Sequence, residues 1–426
     1  MANIKPFSGI YFNQDKITDI SKVICPPYDI ISPVAQESYH RLSPYNMIHL
    51  EFGRDKPGED KYKCAEVSFN NWLKEEILMR DKEPAIYFYN QRFTIRGEAK
   101  ERLGFIALLR LEGKGNTVFP HEHTRLEPKE DRFQLIRRVE ANLSPIFVLF
   151  SDEKRIIRRT YEKYIKDTSP FIEIIDEERM SHKIWRFNSE DALESFQAQM
   201  ENKNIFIADG HHRYEVALAF REEMKKKLGN LPEEADSSYI MAYFTNIEGK
   251  GLSILPIHRL VEGISDFRID TFKEAVKAYF DIQEIKERDN FLLLLEKAGV
   301  RENTLGMYRD KKFYLLRLKN KKFLDKEILD KPKEYGSLDV TILNYIVLKR
   351  ILGLDLEDKE KIKFNPNTDE LISHVDNNNS SVAFFLNPVK IEQLVSIAQA
   401  GERMPPKSTY FYPKVYAGLL INKFNI

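Results

Sequence analysis

Residues 205–220 read IFIADGHHRYEVALAF, and the fold expected of the chain follows from how that stretch changes character. Ile205, Phe206, Ile207 and Ala208 form a short apolar run of the kind a buried strand shows, and Gly210 interrupts it as a turn residue does. Beyond the turn Val216, Phe220 and Met224 recur every four residues, one face of a helix. Asp209, Gly210, His211, His212 and Arg213 therefore lie between a strand's carboxyl end and a helix's first turn. Backbone N–H groups without helical partners and the helix dipole both favour an anion there. Gly210 permits close backbone approach, Arg213 offers a fork of donors, and the histidines hold or relay protons near neutral pH. Asp209 is repulsive to a phosphate unless a cation lies between them or the carboxylate handles a proton, which points to Mg²⁺ or to base chemistry. The competing reading makes Asp209 a helix cap and packs both histidines.

Working outward, apolar runs and turn signals alternate with helical periodicity, which predicts an α/β protein of mixed sheets. Ile24–Pro33 (ICPPYDIISP) carries three prolines and reads as a stiff extended loop, and Asn46–Phe52 (NMIHLEF) alternates like a strand. Residues 61–79 read as an amphipathic helix. Strands are expected at Ala85–Phe93, Leu103–Leu111, Ile146–Phe150, Ile184–Phe187, Tyr239–Phe244 and Ile254–Ile257, with turns at Gly97–Lys100 and Gly113–Asn116. Ile146–Phe150 and Ile205–Ala208 should be neighbours in one sheet. Phe119–Arg125 (FPHEHTR) is a second dense polar box, followed by Pro128 and the helix face of Phe133, Ile136 and Val139. His258 and Arg259 follow a proline at a strand end. Further on come strands at Gly306–Tyr308, Phe313–Leu318 and Ser381–Leu386, and helices over Asp339–Leu352 and Ile391–Ala400. Met404–Lys414 (MPPKSTYFYPK) reads as an exposed clamp over an anion, with Lys407 and Lys414 for charge and Ser408 and Thr409 as donors. Four parts are expected: 1–101, 102–265, 266–335 and 336–426.

The 426 residues carry 66 Lys+Arg against 66 Asp+Glu, so no global charge calls for nucleic acid or an anionic membrane. No helix-turn-helix or basic patch stands out, and no apolar run reaches the roughly 18 residues a membrane span needs. The start has no signal-peptide core. Two cysteines, Cys25 and Cys64, exclude a disulfide framework, and a reducing cytoplasmic setting is expected. The oligomeric state is left open.

The series PHE (Pro120–Glu122), DR (Asp131, Arg132) opening a helix, SPIFVL (Ser144–Leu149) and ADGHHR (Ala208–Arg213) resembles the ParB-like fold in its free serine kinase branch. Nearly the full length more closely resembles a bacterial and archaeal family of a domain of unknown function, through CPPYDIIS, NMIHLE, HEHT, NLSPIF, ADGHHRYEVAL, PIHR and MPPKSTYFYPK. The resemblance implies a ParB-like core with added N- and C-terminal α/β parts and a nucleotide-dependent phosphotransferase acting on a small hydroxyl compound, free serine or O-phosphoserine, in either direction. Glu122 takes the place of the base by its position in the PHE box, with Asp209 and His212 as further catalytic groups and Asp209 as the Mg²⁺ ligand. Gly210, His211, Arg213, His121, His123, Thr124, Arg132, Ser144, Lys407, Ser408 and Thr409 are the expected binders of ATP or ADP. The two boxes should line one pocket, reached also by Lys407–Tyr410. Two other classes compete: a ParB-like nucleotide switch without turnover, and a metal-dependent hydrolase using His121, His123 and His211 or His212.

Overall fold

The computed structural model describes residues 3–113, 117–264, 267–324, 328–378 and 380–425. The backbone divides into two units, one comprising Met1–Pro120, Thr124–Ser253 and Pro413–Ile426, the other His121–His123 and Ile254–Tyr412. Both are mixed α/β.

In the first unit a nine-stranded sheet runs in the order Val118–Phe119, Ile205–Asp209, Ile146–Phe150, Tyr239–Asn246, Glu98–Arg110, Ile86–Ile95, Ser181–Phe187, Ile172–Ile175, with Ile4–Lys5 beside Glu98–Arg110. Ile205–Asp209 and Ile146–Phe150 are antiparallel neighbours, as their buried runs predict. Strand alternation sorts the residues. One face carries the core of Phe88, Phe105, Ala107, Ile146, Val148, Ile205, Ile207, Ala242 and Phe244. Residues of opposite parity, Tyr89, Gln91, Arg102, Phe147 and Tyr243, are also buried, so polar groups are folded inside. Gly104 is required here, because a Cβ on it would lie 2.5 Å from the Tyr243 ring. Register shifts between Ile207 and Asp209, bringing Asp209 opposite Phe147. That bulge turns the carboxylate to the polar face, where strict alternation would have left it with the core.

The second unit holds a six-stranded antiparallel sheet in the order Phe280–Ile285, Lys312–Leu318, Thr304–Arg309, Val382–Phe385, His258–Val261, Ile362–Asn365. Leu260, Phe291, Leu315, Leu371 and Phe385 belong to its core. The helix expected from Asp339 is present, with Leu343–Ile351 in π form.

Several local expectations are corrected. Residues Ile48–Glu51 form a helical turn rather than a strand; the Asn46 carboxamide accepts the Ile48 N–H at 2.9 Å and donates to the Lys22 and Ile24 carbonyls, so it starts a turn where hydrophobic spacing suggested extension. Within CPPYDIIS, Tyr28–Ile30 is a 3₁₀ turn and Pro33 opens a helix to Leu42, capped by Ser32. The turn expected over Gly97–Lys100 is confined to Arg96 and Gly97, both at positive φ, and Glu98 already belongs to the next strand. His258 and Arg259 follow the strand Ser253–Leu255 and Pro256, as expected, and also open the next strand, His258–Val261. The turn predicted at Gly113–Asn116 falls largely outside the described residues. Among the described residues no helix is long and apolar enough to cross a membrane.

Candidate functional site

The strand Ile205–Asp209 passes through Gly210, at φ +88°, into the helix His211–Leu228. The left-handed glycine turns the chain so that Asp209 and the helix start face the same region. A Cβ at Gly210 would lie 2.8 Å from Ile146 Cγ2 and 3.0 Å from an Arg213 nitrogen, so no side chain fits. The Tyr214 N–H makes the first helical bond, to the Gly210 carbonyl at 3.0 Å.

Two cations converge on Asp209. Lys414 Nζ lies 2.9 Å from Oδ1 and the Arg213 guanidinium 3.5 Å from Oδ2. Lys414 is itself buried and is set by a hydrogen-bonded train. Gln91 donates to the Lys414 carbonyl at 3.1 Å, and Arg102 donates to Gln91 Oε1 and the Pro413 carbonyl. The Arg102 guanidinium stacks 4.6 Å from the Phe147 ring centre, and burial lowers its pKa.

Arg213 donates to Ser144 Oγ at 2.9 Å and to the Pro145 carbonyl at 2.7 Å. Its Nε is buried with no hydrogen-bond partner. Ser144 in turn donates to Glu51 Oε1 at 3.0 Å, and Arg132 donates to the Glu51 backbone carbonyl and the Asp131 carboxylate. Burial opposes the Arg132 charge, but Glu51 and Asp131 hold its pKa above the ordinary value. The Asp131 carboxyl is kept below its usual range, despite burial, by Arg132 and Lys61. Tyr28 lies under Arg132 at 4.1 Å. A cavity of about 50 Å³ among Glu51, Arg132, Ser144 and Arg213 has room for water but not a nucleotide. Arg132 and Ser144 thus bear on the turn through Arg213.

His212 Nε2 accepts the Arg125 backbone N–H at 3.0 Å. With that lone pair engaged, the neutral ring carries its proton on Nδ1 and serves as a hydrogen-bond donor. Thr124 donates to Glu215. His211 is buried.

The remaining expected residues gather in the second unit. Glu122 Oε1 accepts the Lys407 N–H at 3.2 Å, Arg403 donates to the Glu122 carbonyl, and the Met404 N–H reaches the His121 carbonyl at 2.8 Å. His121 is buried against Thr409, Nε2 to Oγ1 3.1 Å. The loop is therefore not the exposed clamp expected: Ser408, Thr409 and Phe411 are buried, because Pro405 and Pro406 lay it over Arg259. That guanidinium donates to the Pro406 and Lys407 carbonyls at 3.3 and 3.0 Å, and burial pulls its pKa down to about 9. His258 Nδ1 accepts the Leu386 N–H at 3.1 Å, a satisfied histidine.

The expected magnesium ligand does not fit what is built. Asp209 is already answered by Lys414 and Arg213, the cations that reconcile it with an anion. Among the described residues no three His, Cys, Asp or Glu groups cluster as a metal site. Sequence reading missed Glu51, Gln91 and Arg102. Glu51 stood inside NMIHLE; Gln91 and Arg102 carried no signal except as polar residues within strand patterns.

The chain belongs to the family described as "Protein of unknown function (DUF1015)", whose model matches residues 4–341. Among curated proteins there is no match. Solved structures similar to it include a free serine kinase variant in complex with ADP, 11% identical, covering 69% of this chain and 84% of that one at a TM-score of 0.34. A conserved hypothetical protein from Pyrococcus furiosus is 13% identical over 70% and 89% of the two chains at 0.32. SbnI from Staphylococcus aureus, with a C-terminal truncation, is 11% identical over 73% and 85% at 0.35.

Proposed function

We propose that this protein transfers a phosphoryl group between a nucleotide, ATP or ADP, and a small hydroxyl compound, free serine or its O-phosphate, in either direction, in the cytoplasm. The observation that carries the reading is the buried, unpartnered Arg213 Nε beside Gly210 at the start of a helix. An unsatisfied buried donor costs on the order of 1–3 kcal/mol, and a phosphate oxygen supplies the acceptor it lacks. Lys414, Arg213 and the helix dipole offer positive potential at this turn, the arrangement phosphoryl transfer needs as charge spreads over the equatorial oxygens.

Glu122 is assigned as the base for the attacking hydroxyl, by its place in the PHE box. Asp209 positions Lys414 and Arg213. His123, Thr124 and Lys407 are assigned to substrate or nucleotide binding, while His121, Ser408 and Thr409 hold the loop that carries Lys407, and no step is routed through magnesium.

The test is to incubate the protein with serine and ATP or ADP, and separately with O-phosphoserine and AMP or ADP, and to look for the exchanged phosphate by mass spectrometry. Glu122→Gln should lose at least about 10²-fold in turnover while still binding nucleotide. Saturable nucleotide binding with no product in either direction, from serine or other small hydroxyl compounds, overturns the enzyme in favour of a switch.

A further inference from the structure

The NMIHLE segment takes no part in the phosphate chemistry beyond Glu51, yet it carries His49, and His49 faces His40 of the preceding helix. The two Nδ1 atoms are 3.2 Å apart, with the rings nearly perpendicular. Each ring's other nitrogen meets a backbone carbonyl: His40 Nε2 lies 3.4 Å from the Phe52 oxygen and His49 Nε2 3.1 Å from the Ser43 oxygen. A carbonyl only accepts, so the tautomer with hydrogen on both Nε2 atoms satisfies both carbonyls and leaves the two Nδ1 lone pairs facing the space between the rings, where a cation completes the arrangement.

We propose that His40 and His49 form a binding site for a divalent transition-metal ion of the class imidazole favours, Zn²⁺, Ni²⁺ or Cu²⁺. Metal–imidazole bonds of about 2.0–2.1 Å at a tetrahedral angle place two ligand nitrogens about 3.3 Å apart, which is the spacing found. The carbonyl behind each Nε2–H is the outer support that ligating histidines ordinarily have, fixing tautomer and ring orientation. Both rings are half-buried, so water or a ligand can complete the coordination. The neighbouring positive charge is answered, since Arg54 forks onto both oxygens of Glu37 at 2.8 Å. No third His, Cys, Asp or Glu joins them among the described residues, which gives an open two-nitrogen site.

Untagged protein, stripped with chelator, is titrated with Zn²⁺ by calorimetry and with Co²⁺ by visible spectroscopy at pH 7 and pH 6. One equivalent should bind saturably at both pH values. H40Q and H49Q should each weaken binding by at least tenfold while keeping the wild-type circular dichroism. No saturable uptake by folded wild type, or equal uptake by both variants, overturns the proposal. So does a ¹⁵N-histidine spectrum at pH 7 showing one proton shared between the Nδ1 atoms with no metal bound. None of these readouts depends on phosphoryl transfer.

Discussion

Lys414→Met separates the two things the Asp209 pair does. The ammonium and carboxylate sit 2.9 Å apart, with side chains 7% and 16% exposed. Removing one partner of a buried pair costs about 3–5 kcal/mol because the other charge is left behind. Arg213 still faces the other oxygen at 3.5 Å, which puts the expected loss near the lower end, about 3 kcal/mol. At about 2 °C per kcal/mol for a unit of this size, Tm should fall by roughly 6 °C. Asp209→Asn removes the charge that needs answering, so Asp209→Asn/Lys414→Met should recover most of that loss. Their double-mutant cycle, read by denaturant unfolding, should give a coupling above about 1 kcal/mol. On the proposed function, nucleotide affinity should behave differently: the double variant should stay weak, because a bound phosphate would lose the lysine whether or not the carboxylate remains. A Tm within about 1 °C of wild type for Lys414→Met, or additive single effects, would refute the argument.

Gly210→Ala should cost about 1–3 kcal/mol, from φ +88° and the contact with Ile146, and should reduce nucleotide affinity in calorimetry. Arg102→Met leaves the Gln91 and Pro413 oxygens without their donor and should lower both Tm and nucleotide affinity, although Arg102 acts on Lys414 only through Gln91 and the Pro413 carbonyl. The His40 pKa is lowered to about 4 in the fold, so between pH 4 and 6.5 the unfolded chain binds more protons. The ring's contribution is complete above pH 6.5 and is lost as pH falls toward 4. Solvent screening of a half-exposed group keeps it on the order of 1 kcal/mol. His40→Gln should flatten that part of a stability–pH curve measured in urea, and an unchanged slope would count against it.

The strand–glycine–helix at 205–228 was legible because three independent patterns agree there: a buried run, a turn residue and a four-residue apolar repeat. Asn46–Phe52 was misread because apolar alternation also fits a short buried helical turn, and only the carboxamide of Asn46, bonded to residues more than twenty positions away, decides between them. Arg102 and Gln91 were invisible as a functional pair, since nothing local announces that a strand's second face is also covered. The MPPKSTYFYPK loop had the composition of an exposed clamp, but the Thr409 hydroxyl is buried against His121, the Ser408 hydroxyl turns back to the Pro405 carbonyl, and Arg259 holds the Pro406 and Lys407 carbonyls. Composition cannot distinguish a residue displayed to solvent from one used to seal a loop.

The first unit also has an unusual biosynthetic order. Residues 413–425 are made after the whole of the second unit, yet they supply the first unit with the Cys25–Ala417 and Ile10–Ile421 bridges, the Asn142–Asn422 strand pair and the lysine that clasps Asp209. Domains emerging from a ribosome ordinarily close from the amino end. Here the earlier-synthesised unit waits with Ile10 and Asn142 unpaired on those edges until the later one has passed through the tunnel. A chain released early lacks Lys414, and Asp209 stays without that partner: the turn at residues 209–213 is completed only when translation has gone past residue 414.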